Sequence, residues 1–536
     1  GENYNTVIGM NAGLSIDDTG ADNNIIIGYN AGIGGSAAMD ANIVIGSDAL
    51  NSTAGTAISS CVSIGVESLT NAAHANNIGT VAIGYQSMYT ASNTALNNCV
   101  GYQSLKYLTA ITTGDGNTAF GNQAGRGSGA ATSSFERNTL LGYRTGFELD
   151  TGDDNVCIGY QAGMNFGSNA QNVIIGSKAM DAAGDGPDGN VIIGYNAMTA
   201  LTEANSHYNI AIGHSAMSTA SSANTADNIA IGEGALDGTG ANVQVGAIAI
   251  GKAALGALTD GERNLAIGYQ AADAMTVGDD NIAIGYAALG AATTAATTKN
   301  VFIGNYAGDG IVAYTASQNV GVGHLALSGA LDDGADNNVA IGYNALVVQA
   351  DGYQNTAVGS TAGEAVSSGQ NNLLLGYASG TSGAPTGVIN SQDNIICLGN
   401  SSISALYCAA DTINTSDSRD KTDITDFDGG LDWVNAMQPK TFNWDKRDWY
   451  VGDEPTSQDI LDAVPDGTKK KDDLQIGFLA QDILDIEQAN GYADNNENSL
   501  IVNLTNDETR YGLAYSKIVP ILVNAIKELS AKVEAL

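Results

Sequence analysis

Asn338-Val339-Ala340-Ile341-Gly342-Tyr343-Asn344-Ala345-Leu346 is one copy of a pattern that fills about three quarters of the chain. Aligned on the glycine, the copies run from Gly9, Gly28 and Gly46 to Gly359, Gly376 and Gly399, 22 units in all, most of them 17 to 19 residues apart. Asn is common four positions before the glycine, large aliphatics usually stand three and one before it with a variable residue between them, and Ala is frequent three after. A spacing of two between the aliphatics is strand periodicity, which puts Val339 and Ile341 on one face and Ala340 on the other. The aliphatic pair is expected to be the inward face. A unit this short cannot bury its own apolar face, but a second coil stacked at ~4.8 Å buries it and completes the strand hydrogen bonds. Residues 1–403 therefore predict a mainly β architecture, a long parallel β-roll or solenoid of about 22 units. At ~4.8 Å per coil that is a rod of roughly 100 Å. Gly/Asn/Asp-rich stretches such as Thr151-Gly152-Asp153-Asp154-Asn155 supply the turns, where both Gly and Asn tolerate positive φ.

Composition points the same way. In 536 residues, 43% are hydrophobic and Gly occupies 68 positions against 6 for Pro, a profile of stacked repeats. The net charge of −37 is divided between residues 1–413, with 8 basic and 33 acidic side chains, and residues 414–536, with 12 and 24. Both parts repel nucleic acid and anionic lipid, so neither is expected as a partner. No apolar run approaches the ~20 residues that span a bilayer, and the opening GENYNT has neither a charged n-region nor an apolar h-region, so no membrane insertion is expected. The chain opens without Met on a repeat already under way by Asn5, and is expected to be the C-terminal part of a longer one. Cys61, Cys99, Cys157, Cys397 and Cys408 lack the close spacing of a zinc or redox motif and read as reduced filler; no cofactor and no metal site is expected.

The repeat units resemble the NSVAIG-type head repeats of YadA-like trimeric autotransporter adhesins. That resemblance implies left-handed parallel β-rolls assembled as trimers, although the membrane-anchor barrel that ends such adhesins is absent here. The composition changes instead at Thr415-Ser416-Asp417-Ser418-Arg419-Asp420-Lys421-Thr422-Asp423-Ile424, beyond which lie Trp433, Trp444, Trp449 and four of the six prolines. Residues 404–415 read as a connector, and 416–536 as a small α/β domain. Four segments of it, in order, resemble the endosialidase-type intramolecular chaperone of phage tail fibres and spikes: Ser416 to Ile424, Met437 to Trp444, Gly477 to Ile483, and Leu513 to Pro520 with the helix that follows.

In that family the domain helps three chains fold together, and the protein then cuts the peptide bond before the motif serine using a serine and a lysine. The matching positions are Ser416 and Lys421, with the scissile bond between Thr415 and Ser416. The residues themselves agree with this, since no His follows His324 and a Ser–His pair inside the module is impossible. A lysine serves as base near neutral pH only when burial lowers its pKa from ~10.4 by a few units. Asp417, Asp420 and Asp423 would oppose that shift if they approached the amine. The alternative reading of a Ser and a Lys five apart is an ordinary polar turn. Arg419 is expected either to pair with a neighbouring acid or to stay solvated.

The last helix is expected to start after Pro520, with Val519, Leu522, Ile526, Leu529, Val533 and Leu536 forming a coiled-coil seam. β-Branched residues alternating with Leu favour two strands, whereas the family resemblance implies three. Packing of the helix on its own domain is the alternative. Ten of the 22 glycines are followed by Tyr, which reads as a packed ladder more simply than as a sugar-binding row. Asn209, Asn228, Asn264 and Asn281 read as a structural ladder. Turns such as Asp185-Gly186-Pro187-Asp188-Gly189-Asn190 read as solvated more readily than as Ca²⁺ sites.

The resemblance implies a homotrimeric tail fibre or spike of a virion, made in the host cytoplasm and acting outside it. It would join the virion tail through a missing N-terminal region, bind a host cell-surface receptor (a glycan or surface protein), and cleave only itself. The alternatives are a cellular trimeric adhesin with the same chaperone and a glycan-degrading tailspike, for which the near-constant unit length leaves no catalytic insertion.

Overall fold

The computed structural model describes residues 4–14, 16, 21–34, 39–51, 57–71, 78–90, 95–109, 115–129, 133–182, 184, 186–200, 206–219, 225–238, 244–292, 297–311, 316–332, 334–403, 406, 416–451, 456–493, 499–505 and 508–536. The chain divides into two units: residues 1–319 with 331–333, and residues 320–330 with 334–536. Among the described residues there are 22 three-residue ladder strands, seventeen in the first unit and five in the second.

In the first unit the strands pair in parallel and in register, residue for residue. Ile229, Ala230 and Ile231 lie against Ile248, Ala249 and Ile250 of the next coil, and those against Leu265, Ala266 and Ile267. Register is held by the buried asparagine that precedes most of the strands. Asn209 donates its backbone N–H to Asn190 Oδ1 at 2.9 Å, and its Nδ2 donates to the same oxygen at 3.1 Å and to Thr225 O at 2.7 Å. Its own Oδ1 accepts two bonds from Asn228, both 3.1 Å. Every polar atom of the side chain is thus satisfied where no water reaches, which removes the cost of burying an amide.

The glycine that follows each strand is required twice over. Gly232 has φ +140°, and a Cβ there would lie 2.4 Å from Gly251 O of the next coil. Beyond the glycine the chain turns back through left-handed positions occupied by ordinary residues, as at Ser215 (φ 53°) and Met217 (φ 53°). The Ser215 N–H then donates to Tyr195 O at 2.9 Å and that of Met217 to Ala235 O at 3.0 Å, so stacking supports a conformation that L-residues otherwise disfavour.

The expected inward face is corrected by the structure. In the second unit's strand Val339–Ile341 the middle residue Ala340 is fully buried, whereas Ile341 is 39% exposed and Val339 half-buried. The interior of that coil is filled by Asn338, Ala340, Ala345 and Leu346. Alternation defines two faces without saying which is inside, and a coil this narrow takes the single middle residue, not the bulky pair. In some coils the interior also trades volume, although Ile174 with Met180 and Ile192 with Met198 keep both places large. Where the middle residue is Ile26, Leu140, Phe302 or Leu374, the place held elsewhere by a buried Leu or Met is taken by Gly32, Gly146, Gly308 or Gly380. A Cβ on Gly308 would meet Phe302 Cδ1 at 2.6 Å.

The second unit carries five ladder strands, from Val320–Val322 to Ile396–Leu398, and then the C-terminal module. The module contains helices α1 (Leu431–Ala436), α2 (Ser457–Asp462), α3 (Ala480–Ala489) and α4 (Ile518–Glu534). It also has antiparallel pairs Lys440–Phe442 with Gln475–Gly477 and Val502–Leu504 with Tyr511–Leu513. Its core gathers Trp433, Met437, Ile483, Ile501, Val502, Ile518 and Ile521. The buried Glu487 of α3 accepts the N–H of Leu500 at 3.1 Å, that of Ile501, and the Ser499 hydroxyl at 3.0 Å, fastening the helix to the following turn.

Helix α4 begins two residues before Pro520, which sits in the first turn where its missing N–H costs nothing. Ile518, Ile521 and Ala525 are buried on the domain, while Val519, Leu522, Ile526, Leu529 and Val533 are exposed. The helix therefore packs on its own domain through one face and leaves the expected seam uncovered on another. Among the described residues no helix is long and apolar enough to cross a membrane.

Replacing Asn209 by Leu keeps the bulk but leaves two donors of Asn228 and Thr225 O without their partner. We expect a loss of about 1–3 kcal/mol for each group left unpaired, read as a lower denaturation midpoint. Ala340→Leu overpacks the coil and should cost about 1–3 kcal/mol, whereas Ile341→Leu should change stability by a few tenths of that. Equal effects of the latter two in denaturant titrations would reverse the assignment of the inward face.

Candidate functional site

Ser416 and Lys421 come together. Lys421 Nζ lies 2.6 Å from Ser416 Oγ, and both residues are exposed. The turn between them explains the geometry. Asp417 caps a single 3₁₀ turn, Ser418–Asp420, by accepting the Arg419 N–H at 2.9 Å, and the chain leaves the turn extended at Lys421. Five residues that would span far more if extended are folded so that the first and last side chains meet. The Arg419 guanidinium closes on the same carboxylate, with Nε at 3.0 and 3.1 Å from its two oxygens and NH2 at 2.5 Å.

Of the two outcomes left open for Arg419, the structure shows the ion pair. Arg419 holds the Asp417 carboxyl below the usual carboxylate range, and Asp417 raises Arg419 in return. Asp417 thus presents its charge to Arg419, and among the described residues Lys421 forms no ion pair with any carboxylate. Thr415, and with it the bond before Ser416, lies outside the described residues, as does the connector apart from residue 406.

A second set of contacts, which the sequence did not reveal, ties the module to the last coils of its own unit. Arg510 donates from NH1 to Ala384 O at 3.2 Å and from NH2 to Ser382 O at 3.4 Å, and Lys446 Nζ donates to Ser401 O at 3.0 Å. Arg510 NH2 lies 3.2 Å from Asp448 Oδ2, an ion pair outside hydrogen-bonding geometry. Burial lowers the Lys446 pKa; Asp448 opposes that shift, and Arg510 and Lys471 add to it. These partners are 45 to 128 residues apart in sequence, so no local pattern announces them.

The weaker sequence signals also find their places. Cys61, Cys99, Cys157 and Cys397 are buried and in no disulfide among the described residues, and burial pushes Cys99 up to about 11 and Cys157 to about 12, while Cys408 lies outside the described residues. The tyrosines after the glycines do stack from coil to coil, Tyr85 on Tyr102 at 5.3 Å and Tyr269 on Tyr286 at 5.5 Å, but on the outer surface. Asp185 lies outside the described residues, and among the described ones no group of three or more His, Cys, Asp or Glu could hold a metal.

Residues 416–492 match the model of a peptidase family described as the chaperone of endosialidase. The match begins at Ser416. The C-terminal part of the chain carries a chaperone module of this kind, behind a repetitive β-solenoid. No curated protein matches the chain.

Because the Asp417 pKa is depressed in the folded state, the Asp417–Arg419 clamp contributes order that is fully present above the unfolded value of about 3.9. That order is lost as pH falls through the lower folded value. Carboxyl NMR should show Asp417 titrating below an ordinary Asp, and Arg419→Ala should move it back toward the ordinary range, with the backbone N–H of residue 419 keeping part of the shift. An unchanged titration in that variant would dissolve the clamp.

Proposed function

We propose that this chain belongs to a homotrimeric phage tail fibre or spike that attaches to a host surface, and that its last module aligns three chains and is then cut away before Ser416. The observation that carries the reading is a chaperone-of-endosialidase match placed directly behind a solenoid with an uncovered aliphatic face. Within the second unit Ile341, Val358, Leu375 and Leu398 lie one above another on consecutive coils and are more than a third exposed, and within the first Ile25, Ile43, Leu141 and Ile303 are exposed to the same extent at scattered coils. Apolar rows of this length are seldom left to water, and two further copies of the chain would cover them. The exposed seam of α4 offers the same kind of surface.

A trimer of repeats faces a register problem. A slip by one unit preserves the local pattern almost intact, while long-range β-pairing is slow to find its place. A separate trimeric clamp at one end sets the alignment before the coils stack. Cleavage then separates the clamp from the finished shaft and makes assembly effectively irreversible.

The self-cleavage proceeds as follows in this reading. Lys421 takes the proton of Ser416 Oγ, and Oγ attacks the Thr415 carbonyl carbon. The C–N bond of the peptide breaks as the Ser416 nitrogen receives a proton, leaving Thr415 joined to Ser416 as an ester. Water hydrolyses the ester to the Thr415 carboxylate and restores the hydroxyl. A lysine performs the first step only when desolvated, and Ser416 and Lys421 are exposed in the single chain. Burial of the pair by a neighbouring copy would therefore make the cut conditional on assembly.

Native mass measurement should give a trimer, and the wild-type chain should release residues 416–536 with Ser416 as the new N-terminus. Ser416→Ala and Lys421→Ala should each leave one full-length band. Lys421→Arg should fail too, because a guanidinium with a pKa above ~12 does not give up its proton. The rate per assembled trimer should not vary with concentration. A wild-type trimer that stays intact would remove the protease, and a stable monomer or dimer would remove the fibre.

A further inference from the structure

Residues 81–147 hold four of the eight basic side chains in residues 1–413 and two of the 33 acidic ones, a net of +2 inside a stretch of net −25. Three of these cations are interleaved with aromatic rings on consecutive coils. Lys106 Nζ sits 4.8 Å from the centre of the Tyr107 ring and 5.8 Å from that of Tyr89. Arg126 Cζ lies between Tyr107, at 4.9 Å, and Phe147, at 4.7 Å. Arg144 Cζ lies 4.8 Å from Phe147 and 5.3 Å from Tyr143. The column covers the coils of Gly84, Gly101, Gly121 and Gly142, about 14 Å at ~4.8 Å per coil.

These cations differ from the other arginines of the array. Arg137 is 2.7 Å from Asp154 and Arg263 is 2.7 Å from Asp280, each reaching an acid one coil away. Lys106, Arg126 and Arg144 are half-buried, and among the described residues none forms an ion pair. Arg144 Nε donates to the neutral Gln123 Oε1 at 2.8 Å, and the buried Nε of Arg126 has no hydrogen-bond partner. Gly127 lets the chain lie close to this column, since a Cβ there would meet Tyr107 Cβ at 3.1 Å. Lys106 and Arg126 also share the Tyr107 hydroxyl, whose pKa they lower, so their partners are neutral groups and ring faces, and the charge itself is left for an anion to answer. Three such cations in a chain of net charge −37 form a localised attraction, not a track for a long polyanion such as nucleic acid.

We propose that this column is a binding site for a short acidic glycan, in which the sugar's anionic groups reach Lys106, Arg126 and Arg144 and its pyranose rings lie on the aromatic faces between them. The proposal names the ligand class for the host attachment inferred above and rests on that reading for its purpose. Aromatic faces stack on the C–H faces of sugar rings, and alternation of ring and cation along the column matches a chain whose acidic groups recur from sugar to sugar.

The test is binding of the full chain to polygalacturonate at low ionic strength, with dextran and polyglutamate as controls. We expect retention on polygalacturonate alone, weakened about tenfold by Lys106→Gln or Arg126→Gln, the loss of one charge-assisted contact. Phe147→Leu should also weaken it, and Arg263→Gln, at an acid-paired site, should not. Should Arg126→Gln misfold, amine labelling of the wild-type chain decides: bound polygalacturonate should shield Lys106 and leave Lys252 reactive. Equal retention by polyglutamate, or unaltered labelling of Lys106, overturns the site. Adsorption to cells that the Lys106 and Arg126 variants leave intact, without binding to polygalacturonate, overturns the site and spares the attachment. Binding to polygalacturonate through the column without adsorption to any cell does the reverse.

Discussion

The buried asparagine is the constraint on which the solenoid depends. A narrow coil must turn sharply, and the turning backbone leaves polar groups facing inward, away from water. In most coils one amide answers them, with its two N–H groups and its oxygen committed to the coils before and after. From Asn97 to Asn228 the same bond, backbone N–H to the preceding Oδ1, repeats through Asn117, Asn138, Asn155, Asn172, Asn190 and Asn209 at 2.9 to 3.1 Å. Such a chain of bonds polarises in one direction, so each rung strengthens its neighbours. It also fixes the rise from coil to coil, which lets the glycines approach carbonyls closely and the left-handed residues find acceptors.

The repeat and its strands were legible in the sequence because their physical causes leave fixed residues behind. Gly342 and its equivalents mark a backbone approach that no Cβ survives, and Asn338 marks the interior amide. The inside of the coil was not legible from Val339 and Ile341, since bulk argued for one face and the available space favoured the other. A clue lay further along the same unit, in the exchange of Ala340 and Leu346 for Phe302 and Gly308, where the bulkiest middle residue meets the glycine that makes room for it.

The candidate site divides in the same way. The approach of Ser416 to Lys421 was expected from the family resemblance, since the residues alone read as an ordinary polar turn, and the Asp417–Arg419 clamp that shapes it is local, one of the two outcomes that an acid and a base two residues apart left open. Thr415 falls outside the described residues. The hold of Lys446 and Arg510 on carbonyls of the last coils joins distant stretches, and single basic residues carry no mark of such a role. For α4 the sequence held both answers at once: Ile518 and Ile521 for the domain, Leu522 and Ile526 for a surface still uncovered.

A parallel stack ends in an edge strand with unspent hydrogen-bonding groups, an invitation to end-to-end polymerisation. Here Ile395 replaces the asparagine before the last strand: its N–H still satisfies Asn372 Oδ1 at 2.9 Å, but it has no amide to pass on. The same break occurs inside the array at Ala247, whose N–H satisfies Asn228 Oδ1 at 2.8 Å while the strand after it still pairs with the next coil, so the missing amide alone does not end a stack. What sets the last coils apart is the module that follows them: Lys446 and Arg510 spend their donors on the Ser401, Ser382 and Ala384 carbonyls, backbone groups that another copy of the chain would otherwise find open.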